Sequence, residues 1–347
     1  METILVLTHV DETSSALTKA SLEAVTAGVE LARQLSATLT IGILGSASVE
    51  AANSAAGAVA ATGARLLAVS GGAFAQPRFA TDTAGGEALA RAAQASIVLA
   101  PGSSRFVRVS AGVAHRLGGF IDTHITALSS NDGVDATRWF YRQRVEAAIS
   151  REARPWFLLL DAGTHAPFAG EPAAAQVEAV TVTLPPVRTT VEGLRSPMRD
   201  AQTIRPDAKL LFVAGAGWTK KQPDGQIHVA VAGELILSFL RLSGASLGSS
   251  KSLADQKAEG EESVLPFLSH MNQIGQTGST PRHAKGLSTC CHGEEPHVVG
   301  WRFVGERRAI SLDPNCGWTR GKADVVYVAD AFQVMAKVNA LLEARSS

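Results

Sequence analysis

Short apolar runs alternate with alanine-rich stretches through the first half of the chain, and the two kinds of segment differ in period. The runs at 4–7, 39–44, 64–69 and 96–100 predict strands, while 20–35, 51–61 and 86–95 predict helices between them. Along the first helix Leu22, Val25, Val29, Ala32 and Leu35 fall on one face, which is expected to pack on the sheet. Strand and helix in strict alternation imply parallel strands joined by crossover helices, the α/β class. After Pro101-Gly102-Ser103-Ser104 the spacing predicts a helix over 106–117 with Ser103 or Ser104 as its cap. An ordinary capped helix explains that start better than a phosphate site does, because every helix begins with N–H groups that need acceptors.

Past residue 117 the pattern loosens. Residues 137–149 have a helical composition, but Trp139, Phe140 and Tyr141 favour an extended strand pair. A strand is expected at 157–160, and 177–184 alternates like another, which Pro185-Pro186 stops. Residues 187–208 are polar and aperiodic and read as a linker between a domain at 1–186 and a second at 209–347. The second domain opens with a strand at 210–214, a Gly215-Ala216-Gly217 turn and a helix at 228–242 with Val231, Leu235 and Phe239 on its inner face. Residues 249–273 are charged and irregular and are expected to form a surface loop around a short segment at 264–268.

Composition narrows the function classes. Basic and acidic residues number 32 each, so there is no basic footprint for nucleic acid. No run reaches the roughly 18 apolar residues that span a bilayer, and the first residues lack a signal peptide's basic flank, so a soluble, cytoplasmic protein without membrane insertion is expected. The three cysteines, Cys290, Cys291 and Cys316, read as free thiols. His283, Cys290, Cys291, His292 and His297 crowd one stretch, but adjacent cysteines do not give the C-x-x-C geometry of a zinc site, so no metal is expected. No G-x-S-x-G nucleophile elbow is present.

The candidate chemistry lies in the second domain. In Ile274-Gly275-Gln276-Thr277-Gly278 two glycines let the backbone approach a ligand, while Gln276 both donates and accepts and Thr277 adds a hydroxyl. That set suits the edge of a heteroaromatic ring or a pyrophosphate. The turn Gly215-Ala216-Gly217 after a strand suits a nucleotide, and a plain turn explains it equally well.

Together with Gly244-Ala245-Ser246-Leu247, Cys291-His292-Gly293-Glu294-Glu295-Pro296-His297, Ala309-Ile310-Ser311-Leu312-Asp313-Pro314, Ala323-Asp324 and Asp330-Ala331-Phe332, this segment resembles the C-terminal flavin domain of the electron transfer flavoprotein alpha subunit family. The resemblance is clear over 244–335 and diffuse over 1–215, where Ala114-His115-Arg116-Leu117 and then Asp122 and Thr126 carry it. It implies an N-terminal α/β domain with a mostly parallel sheet and a C-terminal doubly wound FAD-binding domain. It also implies a heterodimer with a beta subunit, in which FAD takes electrons from a flavin dehydrogenase for a downstream acceptor; such a subunit is an electron carrier, not an enzyme. By the same resemblance the cofactor residues are Gly215, Gly217, Ser246, Ile274, Gly275, Gln276, Thr277, Gly278, His292, Gly293, His297, Ser311, Asp330 and Ala331, with His297 near the flavin C2 carbonyl. Ala216 and Leu247 stand where the family has arginines, and Lys251 is the nearest substitute cation. This departure opens two further readings: an interaction subunit without flavin, or a module holding a different nucleotide.

Overall fold

A computed structural model describes residues 2–11, 13–131, 133–140, 145–193, 204–205, 207–256, 264–275, 280–289, 304–316 and 323–346. The chain divides into two compact units, Met1–Leu194 and Arg195–Ser347.

The first unit contains β1 (Thr3–His9), α1 (Lys19–Leu35), β2 (Thr38–Ser46), α2 (Val49–Ala56), β3 (Arg65–Ser70), α3 (Phe79–Ala92), β4 (Ile97–Pro101), α4 (Ser104–Arg116), β5 (Phe120–Ser130), β6 (Val134–Phe140), β7 (Val145–Ser150), β8 (Trp156–Leu160) and a two-residue β9 (Glu178–Ala179). Its nine strands form one sheet in the order β7-β6-β5-β8-β4-β1-β2-β3-β9. All pairings are parallel except those of the β5-β6-β7 extension.

Both sheet faces are covered, which is why β1 is an unbroken apolar run. Ile4 and Val6 enter one core with Val25, Leu31 and Ala52, whereas Leu5 and Leu7 enter the other with Leu89, Val109 and Val113. Helix α1 packs through Ala24, Val25, Gly28 and Leu31, leaving Leu22, Val29 and Leu35 only partly buried. The predicted face is therefore displaced toward the smallest residues, because the helix lies almost on the sheet. A Cβ at Gly28 would stand 2.3 Å from Val6 Cγ2, a branched side chain with no room to retreat. Gly28→Val is expected to cost about 1–3 kcal/mol of stability, measurable as a shift in the urea midpoint.

Three local expectations change in this unit. Helix α3 begins at Phe79, well before the predicted 86, because Thr81, Asp82 and Thr83 are polar yet buried and break the apolar period. The stretch at 137–149 supplies parts of β6 and β7, the extended alternative, with Phe140 opposite Val145. Of 177–184 only β9 joins the ladder, beside β3.

The second unit contains β10 (Leu210–Ala214), α5 (Val229–Ser243), β11 (Ser246–Ser249), α6 (Lys251–Asp255), β12 (His283–Thr289), β13 (Val304–Ser311), β14 (Val325–Val328) and α7 (Ala331–Ser346). These five strands form a parallel sheet in the order β11-β10-β12-β13-β14. Phe212, Leu247 and Ile310 face a core with Ile236, Phe239 and Met335, and Leu211 and Val213 face a smaller one with Ile274 and Val304. The inner face of α5 is Ala232, Ile236 and Phe239, while Val231 is exposed, so the predicted stripe is rotated by about one residue.

Two expectations fail here. The stretch at 249–273 is not a surface loop among the described residues: Leu253, Leu265 and Leu268 are buried in the larger core and Asn272 is fully buried. Its charges hide isolated leucines that act as anchors. Cys316 is disulfide-bonded and buried, not a free thiol.

Candidate functional site

In an open parallel sheet a ligand sits beyond the carboxyl ends of the strands, where the chain reverses its direction of progress across the sheet. In the second unit that point lies between β10 and β12, since β11 is added on one side of β10 and β12 on the other. Ala214 of β10 is in register with Ser249 and with Thr289, the last residues of β11 and β12.

Several sequence-predicted site residues meet at this edge. Gly215 and Gly217 lie in the turn directly after β10. Ile274 N–H donates to Ser249 O (3.1 Å), which ties the start of the glycine motif to the end of β11. Gly275 has φ of 77°, in the left-handed region, and its N–H donates to Thr280 Oγ1 (2.6 Å). Ser311 ends β13, where its hydroxyl donates to Asp313 O (3.0 Å) and accepts from Asp313 N–H (3.1 Å). Asp330 caps α7, its Oδ1 accepting from Phe332 N–H (2.7 Å), and Ala331 begins that helix.

Ser246 is placed elsewhere. It begins β11 opposite Leu211, and its hydroxyl accepts from Arg205 N–H (2.7 Å), so it stands at the amino edge of the sheet. Asp324 also lies toward that edge, where Arg307 donates to it from backbone (2.6 Å) and guanidinium (3.2 Å) and holds its carboxyl below the ordinary value. Gln276, Thr277, Gly278, His292, Gly293 and His297, like Cys290 and Cys291, lie outside the described residues. His283 turns Nδ1 to Pro281 O (2.9 Å) and Nε2 to Arg205 O (2.8 Å), so both ring nitrogens are engaged with carbonyls. No cluster of metal-binding side chains occurs among the described residues.

The carboxyl edge also holds residues that motif reading did not select. Trp218 is fully buried; its indole N–H donates to Thr289 Oγ1 (2.9 Å) and its ring lies against Phe332 (4.6 Å). Gly215 N–H donates to Thr289 O (2.9 Å), and Trp218 N–H reaches back to Gly215 O (3.3 Å). These amides of the glycine turn are thus directed into the protein. Ser249 Oγ, at the end of β11, is buried with no hydrogen-bond partner among the described residues, and Ser288 Oγ, penultimate in β12, is in the same state. By register the two hydroxyls stand on opposite faces of the sheet, Ser249 with Ala214 on the side of the larger core and Ser288 with Val213 on the side of the smaller one. A residual signal existed in the sequence: Trp218 directly follows the glycine turn.

Among the described residues, the family's two arginine positions carry no charge. Ala216 and Leu247 are buried in the apolar core, and Lys251, directly after Ser249-Ser250, pairs with Asp255 while remaining exposed. No helix among the described residues is long and apolar enough to cross a membrane.

Compared with known families, the chain matches the electron transfer flavoprotein domain over residues 6–187, more than half its length. The match falls on the first unit, where motif resemblance is diffuse. No curated protein matches the chain.

Proposed function

The chain belongs to the electron transfer flavoprotein domain family, and from that premise we propose that it is an alpha-type subunit that carries electrons as a heterodimer with a beta-type subunit. The family match is the observation that carries this reading. The carboxyl edge of the second sheet supports it, because that edge gathers Gly215, Gly217, Ile274, Gly275, Ser311, Asp330 and Ala331 of the predicted cofactor set, Ser246 excepted, together with the unpartnered hydroxyl of Ser249. Bound FAD would supply one-electron redox chemistry, by which electrons are accepted singly and passed on. The backbone at Gly275 and the hydroxyls of Ser249 and Ser311 would hold polar atoms of the cofactor. Lys251 would supply positive charge at the end of β11, and Asp330 would set the first turn of α7. The donor is a flavin dehydrogenase and the acceptor a second redox protein.

The test is near-ultraviolet and visible absorption of the chain co-expressed with a beta-type subunit, before and after adding FAD. Oxidised-flavin bands that bleach on reduction are expected. Ser249→Ala, which removes one hydroxyl, is expected to weaken FAD binding roughly tenfold in a calorimetric titration while leaving the fold intact.

A second reading, an interaction subunit without flavin, is favoured by one feature: amides of the glycine turn donate within the protein, and Trp218 seals that turn against Thr289. A colourless but intact heterodimer would establish that reading in place of the first.

A further inference from the structure

The first unit has a direction reversal of its own. Strands β2 and β3 extend the sheet on one side of β1, and β4 returns to pair on the other, so the carboxyl ends of β1 and β4 border the reversal. His9 ends β1, and Ser103 follows β4 as the cap of α4. His9 Nε2 lies 2.9 Å from Ser103 Oγ, and His9 Nδ1 lies 3.0 Å from Val10 O.

This arrangement fixes the direction of the proton. A carbonyl oxygen only accepts, so Nδ1 carries a hydrogen, and when the imidazole is neutral Nε2 is the acceptor. The Ser103 hydroxyl therefore donates to a base whose orientation is set by a third group, the relation that activates a serine nucleophile. The ring has little freedom to turn: His9 is buried, it stands edge-on to Phe106 (5.4 Å), and its backbone is tied through Ser21 Oγ, which accepts from His9 N–H (3.0 Å) and donates to His9 O (3.1 Å). Ser103 itself is half-buried between exposed Gly102 and Ser104, and its oxygen also accepts from Phe106 N–H (3.5 Å). It opens a 13-residue helix whose positive end favours negative charge developing on or near that oxygen.

We propose that Ser103, with His9 as its general base, is a nucleophilic serine that is acylated by activated carboxylic esters, an activity separate from electron transfer. Ser103 Oγ attacks the ester carbonyl carbon as its proton passes to His9 Nε2. The tetrahedral adduct collapses, the bond from carbon to the leaving oxygen breaks, and Nε2 returns the proton to that oxygen. The acyl group remains on Ser103 until water removes it by the same route, and nothing is oxidised or reduced. A bond that merely stitched β1 to α4 would give Ser103 no reactivity above that of other serines.

The experiment treats the full chain with p-nitrophenyl acetate and, separately, with a fluorophosphonate, and locates the adducts by peptide mass spectrometry. Labelling concentrated on Ser103 is expected, abolished by Ser103→Ala and slowed on the order of 100-fold by His9→Gln. Melting curves of each variant establish that it is folded. Because His9 is buried, Ser103→Cys provides a second readout. The introduced thiol should be alkylated by iodoacetamide with a pH midpoint below the value of about 8.5 for an ordinary cysteine. No adduct on Ser103 from either ester, with the introduced thiol titrating like an ordinary one, would overturn the proposal.

Discussion

Asp82→Asn is expected to lower the stability of the first unit by about 3–5 kcal/mol, the cost of leaving a buried guanidinium without its carboxylate. Arg105 in the first turn of α4 and Asp82 in the first turn of α3 are each about 1% exposed. Arg105 donates to both carboxylate oxygens (2.9 and 2.8 Å) and to Phe74 O (2.6 Å), so one side chain fastens α4 to α3 and to the loop before α3. Gly45, at φ of 99°, leaves the space for it: a Cβ there would stand 2.5 Å from Arg105 Nη1. Burial pushes the Asp82 carboxyl above its ordinary range, with hydrogen bonds and charge from Arg105 offsetting only part of the shift. A carboxyl raised in the folded state loses stability as pH rises through its range, so acid does not weaken folding through Asp82. Urea denaturation of the single variant and of the double variant Asp82→Leu, Arg105→Met is the check. The double variant should recover most of the loss, because no charge is then left uncompensated. A single variant as stable as the parent would show that the pair is dispensable.

Asp122→Asn is expected to cost about 3 kcal/mol and to remove part of the acid sensitivity of the same unit. Asp122 in β5 receives Arg138 Nη1 (2.9 Å), Arg151 Nε (2.6 Å) and the Trp156 indole N–H (2.9 Å). One carboxylate thereby joins β5, β6, β8 and the chain leaving β7. Burial by itself raises this carboxyl, but the bonds from Arg151 and Trp156 and the two guanidinium charges outweigh it, and the net shift is downward. A depressed carboxyl stabilises the fold above the ordinary carboxylate range, and that stability is lost as pH falls through its lowered folded value. Acid titration followed by tryptophan fluorescence should therefore show a shallower loss for Asp122→Asn than for the parent. Identical profiles would refute the assignment.

Most elements of the first unit are legible from period alone, because its strands are continuous apolar runs and its helices carry apolar positions three and four apart. The boundary of α3 is not, since Thr81, Asp82 and Thr83 look like solvent-facing residues until Arg105 is placed beside them. In the second unit β11 is Ser-Leu-Gly-Ser, too short and too small to stand out from a loop, yet it forms the border strand of the sheet. Ser246 and Ser249 differ by three positions in sequence and stand at opposite ends of that strand. Motif resemblance selects the first, whereas the hydroxyl at the carboxyl edge is the second.

The sequence by itself determined the class of the fold and the glycine-polar-glycine motif, because backbone periodicity and turn chemistry are local properties. Tertiary structure decided which hydroxyls lie at the carboxyl edge, that Trp218 closes on Thr289, that Cys316 is bonded, and that His9 meets Ser103 across more than ninety positions. Those outcomes depend on strand order and register, and in a parallel sheet the residues that become neighbours are separated in the chain by whole crossover helices.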